Sequence, residues 1–193
     1  MSGEQGIDTG VAVREQEKFN VAAVDTWLKQ RLPELEGEPE VTQFPGGASN
    51  WTYRLAYKNA DLILRRPPAG TKAKSAHNMQ REHDLQAALA KVYPAVPKMV
   101  GYCADTEIIG SDFYVMERIA GIIPRKNLPK AVTLSETEVR QLCTHMLDQL
   151  IALHQVDYKS AGLESLGKGE GYIERQVAGW SSRYQKAKTW NVP

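Results

Sequence analysis

A chain of 193 residues, 42% hydrophobic and 24% charged, has the balance of a folded globular protein, with room for one domain or for a small lobe plus part of a larger one. No apolar run approaches the ~20 residues that a membrane span needs, so no membrane partner is expected. Two distant cysteines, Cys103 and Cys143, argue against a disulfide framework or zinc site and for a reducing cytoplasm, while the net charge of +1 selects no partner.

Residues 1–18 are polar and carry acids, which reads as a flexible tail rather than a signal peptide. Val21, Val24, Leu28 and Leu32 then recur at helical spacing, with Asn20 able to cap the start and Pro33 to stop the end, predicting a helix over 20–32. Three β-prone runs follow, at 40–44, 50–57 and 61–66, separated by Pro45-Gly46-Gly47 and Lys58-Asn59-Ala60. Pro67-Pro68 must end the third, since proline cannot continue a central ladder. The three runs predict an antiparallel meander.

A helix over 75–92 comes next, with Met79, Leu85, Leu89 and Val92 as its apolar stripe, then strands at 97–103 and 112–116. Gly121 and Pro124 break the pattern, predicting a linker over 117–130. Beyond it Val139, Leu142, Met146, Leu150 and His154 keep to one face of a long helix, opened by a Ser135–Glu138 capping box. A last helix, 172–188, aligns Ile173, Val177, Trp180 and Tyr184. The order is that of a small α+β lobe, 19–116, joined by 117–130 to the beginning of a helical one, 131–193.

Nine Lys/Arg against three Asp/Glu lie between Arg54 and Lys98. Such an excess serves nucleic acid, a phosphorylated small molecule or solubility. Aromatic residues do not interleave with these cations as on a single-strand-binding surface, so nucleic acid is not expected.

Three segments bear chemistry. In the turn Gly46-Gly47-Ala48-Ser49-Asn50, paired glycines let backbone N–H groups approach a ligand, and the Ser49 hydroxyl adds a donor for phosphate oxygens. Such turns also serve as plain hairpin connections. Arg65 ends an apolar strand, and Glu82 lies on the inward stripe of the next helix. A carboxylate there is costly unless a cation meets it, and Arg65 is the natural partner. The same pattern fits a purely structural ion pair, or an Arg65 that snorkels outward while Arg66 turns in. The third segment, Phe113 to Gly121, is a buried strand running into the linker.

In this order the segments resemble the aminoglycoside phosphotransferase and choline kinase-like family. The resemblance rests on Phe44 through Leu55, Leu62-Ile63-Leu64-Arg65-Arg66-Pro67-Pro68, Arg81-Glu82, Phe113 through Gly121, and Leu150-Ile151-Ala152-Leu153-His154. The Leu-Arg-Arg-Pro-Pro run is most similar to the subgroup found alone or fused to acyl-CoA dehydrogenases. The resemblance implies a protein-kinase-like fold, with an antiparallel five-stranded sheet plus helix in the first lobe, and it implies ATP with Mg²⁺. Gly46, Gly47, Ala48, Ser49 and Asn50 would cover the phosphates, Arg65 would contact them, and Glu82 would orient Arg65. Met116 would sit behind the adenine, with the Glu117 carbonyl and Ile119 amide at its edge.

The family also requires a His-Gly-Asp-like loop, an Asn about five residues later and a further Asp for metal. None is present, and no aspartate follows Asp157. His154-Gln155-Val156-Asp157 imitates a catalytic loop, but helical spacing makes His154 a packed structural residue. No catalytic or metal residue is therefore expected here, and Mg²⁺ only in a longer parent. The chain reads as truncated before the catalytic loop and inactive alone, the alternative being a complete, non-catalytic nucleotide-binding or interaction module. The acceptor stays open among hydroxyacyl-CoA-like, aminoglycoside-like and choline-like hydroxyl substrates.

Overall fold

The computed structural model describes residues 10–45, 50–68, 70, 77–123, 127–128, 132–167 and 169–191. It divides into two compact units, Met1–Val156 and Asp157–Pro193.

In the first unit, helix α1 spans Val21–Lys29. Asn20 caps it by accepting a hydrogen bond from the Ala23 amide at 3.0 Å, and Val24, Trp27 and Leu28 form its buried face. The helix stops before Pro33, because the Arg31 amide tightens onto the Leu28 carbonyl in the last turn. Five strands follow: β1 Glu40–Phe44, β2 Trp51–Ala56, β3 Asp61–Arg66, β4 Met99–Cys103 and β5 Phe113–Glu117. All neighbours are antiparallel, in the order β1-β2-β3-β5-β4, so β5 inserts beside β3 and the predicted meander of the first three strands is present.

Pleating sends alternate residues to opposite faces. On one face Tyr53, Leu55, Leu62, Leu64, Phe113 and Val115 join Val24, Trp27 and Leu28 in the core, with Trp27 and Phe113 edge to face at 5.0 Å. The other face carries Ile63, Arg65, Tyr114 and Met116, in cross-strand register Ile63↔Met116 and Arg65↔Tyr114. Helix α2, Met79–Leu89, packs on this second face. Asn78 caps it through the Arg81 amide at 2.8 Å. The helix is shorter than predicted. Residues 75–76 lie outside the described residues, and the chain tightens after Leu89 as the Lys91 amide bonds to Ala88. Met79 is fully buried, but Leu85 and Val92 are exposed, so only part of the expected stripe faces inward.

The tail reading needs correcting over residues 10–18. Val11 and Gln43 exchange two backbone hydrogen bonds of 2.8 Å, and Glu15–Glu17 forms a 3-10 turn with Glu17 buried. Glu17 docks because the Gln43 amide donates to its carboxylate and the Tyr53 hydroxyl donates to its carbonyl at 2.8 Å. These are polar contacts, which hydrophobic patterning does not register.

Helix α3, Glu136–His154, opens with the predicted capping box. Its apolar face, including Leu142, Met146 and Leu150, is exposed in the structure. His154 is exposed as well, so it closes the helix as a surface residue rather than a packed one.

In the second unit, Asp157 opens a turn by accepting from the amides of Lys159 at 3.0 Å and Ser160 at 3.4 Å. A 3-10 turn, Glu164–Leu166, leads to helix α4, Tyr172–Ala187, which starts after Gly171 at φ 76°. No helix among the described residues is long and apolar enough to cross a membrane.

Candidate nucleotide site

On β3 the pleat separates two consecutive arginines. Arg66 turns into the core side and is 7% exposed. Its guanidinium donates to the carbonyls of Glu17 at 2.6 Å and Ile109 at 3.3 Å and to the Tyr53 hydroxyl at 3.1 Å, and stacks over Trp51 at 4.7 Å. It is a buried cation satisfied by carbonyls and rings.

Arg65 turns to the α2 face. Its Nη1 lies 3.6 Å from Glu82 Oε2, and the two side chains are 30% and 33% exposed. The predicted pair is therefore half-buried rather than deep. The Arg65 Nε is fully covered and has no hydrogen-bond partner among the described residues.

Glu82 is the hub. Asn50 Nδ2 donates to its Oε1 at 2.9 Å, and the Tyr114 hydroxyl donates to its Oε2 at 3.2 Å. Burial pushes the Tyr114 phenol up, which keeps it protonated and able to donate. Gln86, one turn along the same face as Glu82, donates to the Glu82 carbonyl at 3.2 Å and to Tyr114 at 3.4 Å. Asn50 is 4% exposed, and its Oδ1 lies 2.8 Å from His77 Nδ1.

Sequence reading had not joined Asn50, His77, Tyr114 or Gln86 to this pair. The i, i+4 spacing of Glu82 and Gln86 was the available signal; contacts across 27 and 32 residues left none. Both ends of the Asn50 side-chain amide are engaged. Gly46, Gly47, Ala48 and Ser49 lie outside the described residues.

At the far end of the same face, Met116 pairs with Ile63 across β5 and β3. Glu117 closes β5, one residue beyond the strand predicted over 112–116, and its amide bonds to the Lys98 carbonyl at 2.8 Å. The Arg118 amide bonds to the Asp61 carbonyl at 2.9 Å, and its guanidinium meets Asp61 Oδ2 at 2.7 Å. Arg54 holds the same carboxylate from the other side at 2.8 and 2.9 Å. Burial alone would raise the Asp61 pKa; the two arginines outweigh it and hold the carboxyl below its usual range. Ile119 is exposed.

Asp157, in the second unit, caps its own turn. Amides of Ser160 and Lys159 depress its pKa, the signature of a turn cap rather than of a base awaiting a proton. Among the described residues no three His, Cys, Asp or Glu gather in a metal-holding group.

The family model described as "Phosphotransferase enzyme family" matches residues 40–191. "Acyl-CoA dehydrogenase family member 11" of Rattus norvegicus is 35% identical over 188 residues, covering 95% of this chain and 24% of that protein. "Acyl-CoA dehydrogenase family member 10" of Mus musculus is 35% identical over 189 residues, covering 97% and 18%. The chain thus spans about a quarter, or less, of the curated relatives it matches. A crystal structure from Ralstonia eutropha, named as a candidate aminoglycoside phosphotransferase, superposes with a TM-score of 0.72 at 30% identity, covering 91% of this chain and 50% of that one. A five-stranded antiparallel sheet between α1 and α2, matched in structure and over residues 40–191 in sequence, means that the chain belongs to the phosphotransferase enzyme family and has its kinase-like fold.

Proposed function

We propose that this chain is the nucleotide-holding part of an ATP-dependent small-molecule kinase, which moves the γ-phosphoryl group of ATP onto a substrate hydroxyl. The observation that carries this reading is the Arg65 guanidinium on the α2 face, steadied by Glu82 at 3.6 Å and still 30% exposed. A guanidinium held in this way and still partly open is matched best by an anionic oxygen.

In this reading the turn Gly46, Gly47, Ala48 and Ser49, with the Asn50 backbone N–H, covers the phosphates while Arg65 contacts them. Met116 backs the adenine, and the Glu117 carbonyl and Ile119 amide meet its edge. Arginine in place of a strand lysine keeps the charge and adds a planar fork.

Transfer further needs a base for the hydroxyl proton and oxygen ligands for Mg²⁺. The residues of this chain do not fit those roles, since Asp157 is the last aspartate and is spent on its own turn. These 193 residues alone therefore bind ATP without using it, and Mg²⁺ belongs only to a protein that adds those groups. The dehydrogenase names of the relatives favour a hydroxyacyl-CoA-like acceptor over aminoglycoside-like or choline-like ones. The two unpaired cysteines favour a cytoplasmic location.

Calorimetric titration with ATP tests the proposal. The folded chain should bind ATP, and Arg65→Ala should weaken binding about tenfold or more. A folded wild-type chain that binds no ATP overturns the nucleotide reading, and phosphotransfer by the pure chain overturns its inactivity.

A further inference from the structure

The Glu82 carboxylate accepts from Asn50 and Tyr114 and faces the Arg65 guanidinium at 3.6 Å, and this arrangement fixes the direction of the hydrogen bonds behind it. An ionised carboxylate only accepts, so the end of the Asn50 amide that faces Glu82 must be the NH₂ group. Oδ1 is then turned to His77, and the ring nitrogen 2.8 Å away must be the protonated one, Nδ1–H. The polar chain therefore runs in one direction: His77 Nδ1–H donates to Asn50, Asn50 Nδ2–H donates to Glu82 Oε1, and Oε2 is left for Tyr114 and Arg65.

Two observations show that this chain is held rather than incidental. Asn50 is 4% exposed, so its amide cannot exchange these partners for water. His77 has φ 60°, the left-handed region that a histidine enters at a cost, and it is the sole non-glycine with positive φ among the described residues. That backbone places the ring directly before the cap of α2, where it reaches Asn50.

We propose that Asn50 and His77 are positioning residues for Arg65, acting through Glu82. Asn50 occupies one carboxylate oxygen and thereby aims the other at the arginine; His77 locks the amide in the only orientation that does this. The same chain ties Asn50, directly before β2, to the start of α2. That Arg65 meets phosphate rests on the function proposed above; the positioning of Arg65 does not.

The test reads Arg65 directly. In the ¹⁵N-labelled chain, the Nε–H resonance of Arg65 is assigned by its disappearance in Arg65→Lys. Asn50→Asp puts an acceptor against Glu82, and His77→Ala removes the lock. Both should shift or broaden that resonance while leaving the Nε–H resonance of the core residue Arg66 in place. ATP binding should weaken about tenfold in Asn50→Asp and about threefold in His77→Ala. His77→Gln, which restores an N–H donor, should recover most of both effects. An unmoved Arg65 resonance in folded His77→Ala and Asn50→Asp chains overturns the proposal, as does a His77→Gln variant no better than His77→Ala. If the resonance responds as expected but the wild-type chain binds no ATP, the positioning stands and the nucleotide reading falls.

Discussion

Arg65 and Arg66 are chain neighbours whose surroundings differ because a strand turns over at each residue. Arg66 supplies donors to two carbonyls and a phenol inside the first unit, so Arg66→Ala leaves those acceptors unmet and opens a cavity among rings. A loss of about 2–4 kcal/mol in urea unfolding is expected. Arg65→Ala should cost less than about 1 kcal/mol, because its pair is a third exposed. In the proposed function its effect falls on ATP binding, and equal destabilisation by the two variants would mean that the faces are misassigned. Glu82→Ala stands between them. A deeply buried pair would lose about 3–5 kcal/mol, but here the partners are partly solvated, and about 1–2 kcal/mol is expected from the orphaned Asn50 and Tyr114 donors.

At the scale of elements, strands β1 and β3 carry the bounds read from sequence, since β-branched or apolar runs closed by Pro, Gly and Asn declare themselves locally. The capping box of α3 was equally legible. The short turn Glu15–Glu17 was not, because it forms only when Gln43 and Tyr53 meet it from distant strands. The Arg65–Glu82 pairing could be inferred from one costly inward carboxylate. Its companions Asn50 and His77 could not, because each looks like an ordinary turn or cap residue until the chain has folded.

Helical period likewise indicates that α3 has an apolar face without saying what lies on it. The structure leaves that face open, so Met146→Lys should change stability by less than about 0.5 kcal/mol. A loss of several kcal/mol in thermal or urea unfolding would show that something in the 193-residue chain covers it.

For the whole molecule, two carboxylates link folding to acidity. The Gln43 amide, with help from Arg14 and against burial, holds Glu17 below the usual glutamate range, and Arg54 and Arg118 overcome burial to do the same for Asp61. Their folded values lie below the unfolded ones, about 4.3 for Glu and 3.9 for Asp. The unfolded chain therefore takes up protons first. The stabilisation is complete above those values and is lost as pH falls through the lower folded ones. Melting curves between pH 7 and pH 3 should fall steeply on the acid side, and Glu17→Gln should flatten that limb. A parallel curve for the variant would mean that Glu17 keeps its ordinary titration.

The Asp61 cluster also has a mechanical meaning. One carboxylate is gripped by Arg54 from within the sheet and by Arg118 from beyond β5, while the Asp61 carbonyl takes the Arg118 amide. Sheet and chain are thereby welded as far as Arg118. Whatever bending the following segment performs, the edge formed by Met116 and Glu117 travels with the strands as one rigid piece.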